Sequence, residues 1–84
     1  MTRLWPEGEL IAVVSDAAQT PWSFTWQGRT HQVQGIAKRW RVDVDWWRER
    51  VWREYFKLTT HTGLLVIVYR DVLTNSWYLQ RLYD

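Results

Sequence analysis

Apolar and polar side chains alternate with a period of two along much of this chain, and this alternation limits the possible fold more than any other feature. In residues 22–26, Trp22, Phe24 and Trp26 alternate with small polar residues. One side of such a segment is apolar, as on a strand that covers a core with one face and meets water with the other. The pattern therefore predicts a fold made mainly of β-strands.

Turn-forming residues divide the alternating stretches into about six strands. Gly28 lies in a predicted hairpin turn over residues 27–30, where it can take a positive φ. The predicted strands cover residues 9–16, 22–26, 31–45, 53–60, 64–70 and 77–84. Their short connections predict a small antiparallel meander curled into a half-open barrel, and a split sheet with a packed helix is the rival fold.

The phase of the alternation changes beside Gly35. His31 and Val33 begin the third strand in one phase, whereas Ile36 and Trp40 follow in another. One extra residue in a strand moves every later side chain to the opposite face. We therefore predict a β-bulge at Gly35 and Ile36.

Residues 46–52 fit more than one local structure. A helix would place Glu49 near Arg53 and Arg50 near Glu54, four residues apart, as oppositely charged pairs. A loop would instead join two long antiparallel strands. The sequence favours a loop, with at most one short helical turn near 46–52.

The chain contains no cysteine, so apolar packing must stabilise it without disulfides. Its 84 residues form one predicted domain, 1–84, which buries only roughly 60–65% of the surface that the unfolded chain exposes. Eight Trp, four Tyr and two Phe are more aromatic residues than so thin a core encloses. Several are therefore expected at the surface, and the adjacent Trp46 and Trp47 must point in opposite directions on an extended chain.

Positive charge is concentrated in the middle third of the chain. Between residues 29 and 57, eight basic residues face four acidic ones, although the net charge of the whole chain is only +2. Arg and Lys alternate there with aromatic residues, and guanidinium groups beside aromatic rings form the kind of surface that binds single-stranded nucleic acid. The same residue types also dominate binding hot spots between proteins.

We therefore predict a basic aromatic surface that binds single-stranded nucleic acid or a protein partner. Its candidate residues are Arg39, Arg41, Trp46, Trp47, Arg48, Arg50, Trp52 and Arg53.

A structural interpretation of the same stretch stands beside the functional one. If strands 38–45 and 53–60 pair, one solvated face is expected to carry Arg39, Arg41, Asp43, Asp45, Arg53, Tyr55 and Lys57. Cross-strand charge pairs would cover that face, and the tryptophans on the other side would belong to the core.

No residue pattern predicts catalysis, and no enzyme activity, cofactor or metal is expected. The spacing of His31 and His61 joins them neither to each other nor to a carboxylate. Asp43 and Asp45 lack the glycine-bearing loop and further oxygen ligands of a calcium site. No stretch resembles a secretion signal, and the longest apolar run, residues 64–69, is too short to cross a bilayer, so a cytoplasmic protein without a membrane partner is expected.

Several short motifs occur in an order that is typical of a known family. The motifs are FTWQGRTHQV, KRWR, WWR, REYFKL, LLVIVYRD and SWYLQRLYD, and the similarity covers about residues 22–84. The most specific are Trp46-Trp47, Tyr69-Arg70-Asp71 and the closing segment 77–84. In this order they resemble a bacterial family of unknown function that occurs as short stand-alone proteins. A similar form lies at the C-terminus of ImuB-like relatives of Y-family DNA polymerases.

The resemblance implies an accessory or interaction module, with a role near DNA-damage tolerance for the fused members and with a DNA-repair protein as its protein partner. It implies no catalytic residue, and the 84 residues contain no polymerase-like portion. Three hypotheses remain open. One is a binding module that acts in DNA transactions. The second is a purely structural domain that forms a homodimer or docks on a protein through a sheet edge or a Trp patch, and the third is a small-ligand binder that uses the mouth of the barrel.

Overall fold

Six antiparallel strands make up the fold. The computed structural model describes residues 2–46 and 49–83. The strands are β1 (Arg3–Ser15), β2 (Pro21–Trp26), β3 (Arg29–Trp46), β4 (Glu49–Thr60), β5 (Leu65–Asp71) and β6 (Ser76–Tyr83). Within the described ranges, no helix is long and apolar enough to cross a membrane.

Consecutive strands pair with each other, and β1 also pairs with β6, so the sheet closes on itself. The predicted β2–β3 turn is present, with φ of 51° at Gln27 and 73° at Gly28, as a tight two-residue hairpin requires. In the β1–β2 connection, the carboxylate of Asp16 accepts hydrogen bonds from the N–H groups of Thr20 and Ala18. These bonds, the one from Thr20 above all, lower the pKa of Asp16. The predicted six-stranded antiparallel meander is confirmed.

The core lies inside the ring and is built from five of the six strands. Its members are Ile11, Phe24, Phe56, Leu58, Val66, Val68, Trp77, Leu79 and Leu82. From β3 the buried side chain is His31, whose ring stacks on Phe24 with 5.2 Å between the centroids. Its Nδ1 lies 3.0 Å from the hydroxyl of Thr62. His31 is therefore a hydrogen-bonded core residue.

Two bulges flank the predicted position in β3. The register with β4 shifts between Val33 and Gly35, and it shifts again between Ile36 and Lys38. Each shift adds one residue to β3 and so reverses the face that later side chains occupy. A bulge beside Gly35 is confirmed, and a second one follows it directly.

Residues 49–52 are extended and belong to β4, and Trp46 belongs to β3, so neither the favoured loop nor the short helical turn near 46–52 is formed there. Trp52 lies opposite Asp43, and Arg50 lies opposite Asp45, in a regular ladder. Pairing with β3 satisfies the backbone groups that a helix would have joined to each other. Trp47 and Arg48 lie outside the described residues.

The β3–β4 pair is longer than the rest of the sheet. β2 pairs with β3 over Arg29–Gln32, and from Val33 to Trp46 the described strand that pairs with β3 is β4. The other edge of β3 is free over that length, because no other described strand pairs with it. The six strands thus form one ring-like sheet, from which the β3–β4 pair extends with one edge of β3 free.

Candidate functional site

The register between β3 and β4 decides which predicted site residues share a face. Arg41 lies opposite Glu54, and Val42 lies opposite Arg53. Opposed residues of an antiparallel pair point to the same side, so Arg41 and Arg53 lie on different sides. One prediction is therefore wrong, namely a single face for Arg39, Arg41, Asp43, Asp45, Arg53, Tyr55 and Lys57. Alternation shows which residues share a side within one strand, but it does not set the pairing between strands.

The two sides of the β3–β4 pair are named here the inner face and the outer face. The inner face continues the core side of β4, where Phe56 and Leu58 lie. Beyond the core it carries Arg39, Arg41, Asp43, Asp45, Arg50, Trp52 and Glu54. The outer face carries Lys38, Trp40, Val42, Val44, Arg53, Tyr55 and Lys57. The charged side of β3, and not the side with Trp40, is thus continuous with the core, contrary to expectation.

A buried carboxylate organises the inner face. Glu54 is only 2% exposed, and its two oxygens accept hydrogen bonds from Arg39 at 2.8 Å and from Arg41 at 2.7 Å. Burial alone would raise the pKa of Glu54. The hydrogen bond from Arg41 and the charge of Arg39 outweigh that effect and hold the pKa below its usual range. Arg39 and Arg41 are therefore bound to an internal partner.

Further along the inner face, the next basic residue is also engaged within the chain. Nη2 of Arg50 lies 3.4 Å from Oδ2 of Asp43, and the guanidinium lies 4.6 Å from the ring centroid of Trp52. These contacts neutralise the charge of Arg50 and cover the indole of Trp52. The inner face thus brings together four predicted site residues, Arg39, Arg41, Arg50 and Trp52. Each of them is already engaged by another residue of the chain.

The other predicted site residues have different outcomes. Arg53 lies on the outer face. Trp46 ends β3, but its side chain is outside the description, as are Trp47 and Arg48 entirely, so their exposure stays a prediction. Among the tryptophans whose side chains the structure describes, Trp22 is the exposed one, at 65%. A surface tryptophan was expected, but not at this position on β2.

An aromatic ladder crosses the outer face, with one residue from each of four strands. Trp40 of β3, Tyr55 of β4, Tyr69 of β5 and Tyr78 of β6 occupy directly paired positions. Their successive ring centroids are 5.2, 5.1 and 5.1 Å apart. The Trp40 and Tyr55 rings are almost parallel, at 7°. Four neighbouring strands in one register are needed to build this row, which no single segment of sequence reveals.

The middle of the ladder is covered by β1. Between Leu4 and Glu9 the strand leaves its regular register with β6, and the hydroxyl of Tyr69 donates a hydrogen bond to the carbonyl oxygen of Glu7 at 3.0 Å. A Cβ on Gly8 would lie 2.6 Å from that hydroxyl oxygen, so the backbone approaches the ring closely. Tyr69 is 2% exposed, and this burial raises its pKa despite the nearby charge of Arg53.

Basic side chains lie over the aromatic rings of the outer face. The distances from cation to ring centroid are 5.4 Å for Lys38 over Trp40, 4.7 Å for Arg53 over Tyr69, and 5.4 and 5.6 Å for Lys57 and Arg81 over Tyr83. Arg53 also donates a hydrogen bond to the hydroxyl of Tyr55 at 3.4 Å, which raises the pKa of its guanidinium. The carboxylate nearest to it in the sheet register is Asp71.

In contrast to the inner face, the four outer cations form no ion pair within 4 Å with any described carboxylate. Lys38 is exposed, and Arg53, Lys57 and Arg81 are half-buried.

Sequence reasoning missed most of this outer surface. Its residues outside the predicted site are Lys38, Trp40, Tyr55, Lys57, Tyr69, Tyr78, Arg81 and Tyr83. The segment REYFK does contain the signal, because Arg53, Tyr55 and Lys57 alternate along one side of β4. Their connection to Trp40 and Tyr69 depends on strand pairing. Among the described residues, no cluster of three His, Asp or Glu side chains could hold a metal.

The fold and this surface define a six-stranded, all-β domain with a ring-like sheet and a basic aromatic outer face. The chain belongs to a family described as a domain of unknown function, DUF6504, whose model matches residues 7–84. No curated protein and no solved structure matches it significantly.

Proposed function

We propose that this domain is a non-enzymatic module whose outer face binds single-stranded nucleic acid. The observation that carries the proposal is the placement of Lys38, Arg53, Lys57 and Arg81 over aromatic rings, without an ion-paired carboxylate among the described residues. Cations of this kind attract phosphates, while the half-buried rings of Trp40 and Tyr83 offer stacking area.

The two ends of the outer face suit different parts of a single-stranded nucleic acid, namely a base and a phosphate. Trp40 is the last ring of the ladder, it is half-buried, and β3 has its free edge on that side. A base can extend the ladder by stacking on this ring, because stacking does not require a particular base. Lys57 and Arg81 converge on Tyr83 and place two positive charges close together for a phosphate.

A place in DNA transactions, near DNA-damage tolerance, belongs to the proposal and rests on the resemblance of the sequence motifs to the C-terminal segment of ImuB-like proteins. A protein partner is the competing occupant, since Trp, Tyr and Arg also form protein hot spots. The salt dependence of binding separates the two, because phosphate contacts release counterions and make affinity fall steeply as salt rises.

The test measures binding of a fluorescent single-stranded oligonucleotide by anisotropy, at several salt concentrations. Trp40→Ala should weaken binding about five- to 150-fold, as expected for the loss of roughly 1–3 kcal/mol from one stacked base. Trp22→Ala is the matched control, because it removes an exposed indole from β2, and should leave affinity unchanged.

A charge variant in the same assay tests the phosphate contacts. Lys57→Gln should reduce the slope of log Kobs against log salt by about 0.7, the value for one phosphate contact on a single strand. Arg29→Gln is the matched control, because Arg29 is an exposed cation beside the β2–β3 turn. Absence of binding at low salt, or equal losses in the variants and their controls, would contradict the proposal.

A further inference from the structure

The free edge of β3 is long and regular. After the second bulge, β3 runs from Lys38 to Trp46 without another register shift, and β4 is its paired neighbour there. Such an edge presents backbone N–H and C=O groups that another strand can bind. Natural edges are protected by bulges or short length, and both β3 bulges lie before this segment.

The sequence of this edge is complementary to itself. In RWRVDVD, residues 39–45, two arginines precede Val42 and two aspartates follow it at equal distances. In an antiparallel pair of two such segments centred on Val42, Arg41 lies opposite Asp43, and Arg39 lies opposite Asp45. Trp40 then lies opposite Val44, and Val42 lies opposite its own copy.

We infer that two copies of this chain form a homodimer by antiparallel pairing of their β3 edges, with the two-fold axis at Val42. The axis is perpendicular to the sheet, so inner faces continue into inner faces. Each dimer contains two Arg39–Asp45 and two Arg41–Asp43 pairs. Opposite charges in directly opposed positions stabilise a strand pair, whereas like charges destabilise it.

The charges select this register over its neighbours. A pair centred on Arg41 would place two arginines opposite each other, and a pair centred on Asp43 would do the same with two aspartates. A shift by one residue would place charged side chains opposite apolar ones, because it exchanges the faces. The register centred on Val42 avoids both faults.

The side chains involved are available for these contacts. Arg39 and Arg41 each donate through Nη2 to Glu54, yet their side chains remain 45% and 56% exposed, which leaves further N–H groups free for a second carboxylate. Asp43 and Asp45 are exposed. On the outer face Val44 is 49% exposed, and pairing would cover it with Trp40 from the other copy.

Pairing would join the two chains into one sheet, ordered β6–β5–β4–β3 in each copy and meeting at β3. The two aromatic ladders would then lie on the same side of this sheet. Pairing places Val44 of the other copy beside Trp40, at the edge where a base is proposed to stack, so the dimer and base stacking compete for this ring. The dimer does not rest on nucleic-acid binding, because its inner-face charge pairs take no part in that binding.

Single cysteines provide the sharpest test, since the natural chain contains none. Val42→Cys should form an intermolecular disulfide under mild oxidation, because directly opposed residues have Cα atoms about 4.5–5.5 Å apart, within disulfide range. Val44→Cys is the matched control on the same strand face. Its own copy would lie four residues away along the edge, so it should not crosslink. Equal crosslinking of both variants, or none of Val42→Cys, would overturn the inference.

Light scattering of the full chain over a wide concentration range gives the second readout. The unmodified chain should show a monomer–dimer equilibrium, and Asp45→Arg should weaken dimerisation at least about tenfold, because it places like charges opposite Arg39. Glu7→Arg makes the same charge change on β1 and should leave the equilibrium unchanged. An unmodified chain that stays monomeric over the whole concentration range, or equal effects of the two variants, would contradict the dimer.

Discussion

The inner and outer faces of the β3–β4 pair contain the same kinds of residue but use them differently. On the inner face, Arg39 and Arg41 bind the buried carboxylate of Glu54, and Arg50 lies beside Asp43. On the outer face, cations lie over aromatic rings and form no ion pair with a described carboxylate. A basic, aromatic sequence therefore produces one face that neutralises itself and one that keeps its positive charge.

This difference explains why charge counted along the chain is a weak guide to a binding surface. Three acidic residues of the middle third, Asp43, Asp45 and Glu54, lie on the inner face. They cancel the arginines beside them. Three further basic residues of the middle third, Lys38, Arg53 and Lys57, lie on the outer face of the same two strands.

The largest expected effect comes from disturbing the packing of β1 over the outer ladder. Gly8→Ala should reduce the free energy of unfolding by about 2–4 kcal/mol, because φ is +79° and the new Cβ would lie 2.6 Å from the hydroxyl of Tyr69 and 2.8 Å from Cβ of Tyr78. Urea denaturation measures the loss. Gly63→Ala is the control, since φ is also positive, at +88°, but no atom lies within 4 Å. Equal losses in the two variants would show that β1 does not pack tightly on the ladder.

The next effect should come from the inner face. Glu54→Gln should lower the free energy of unfolding by about 1.5–3 kcal/mol, because it weakens two charge-assisted hydrogen bonds at a buried position. Asp43→Asn alters an exposed pair and should cost at most about 1 kcal/mol.

The pH dependence of stability tests the same carboxylate. Since the folded chain lowers the pKa of Glu54, its contribution is present above the unfolded value of about 4.3 and is lost as pH falls through the lower folded value. Stability measured against pH should therefore fall less steeply below about pH 5 in Glu54→Gln than in the unmodified chain. Parallel pH curves would mean that Glu54 is not held ionised by the two arginines.

The smallest expected effect is the loss of one hydrogen bond under the ladder. Tyr69→Phe keeps the ring but removes the bond to the carbonyl oxygen of Glu7, and should cost about 1 kcal/mol. Thermal unfolding measures this loss. Oligonucleotide affinity should stay unchanged, because the hydroxyl is buried; a clear loss of affinity would mean that the ligand reaches the middle of the ladder.

Part of the fold was predictable because its causes are local. Alternation predicted strands, Gln27-Gly28 predicted the tight turn, and the phase change beside Gly35 predicted a bulge. Part of the site was not predictable, because the second bulge and the register place Arg53 on the other side from Arg39 and Arg41. Only Arg53 of the predicted site belongs to the outer face among the side chains described.

The sequence by itself determined that the chain forms a six-stranded antiparallel meander in which basic and aromatic residues alternate, because a period of two and turn residues act over a few positions. Only the tertiary structure decided which arginines meet Glu54 and which rings align as a ladder. Those contacts join residues far apart in the chain, and a one-residue difference in register would exchange the two faces.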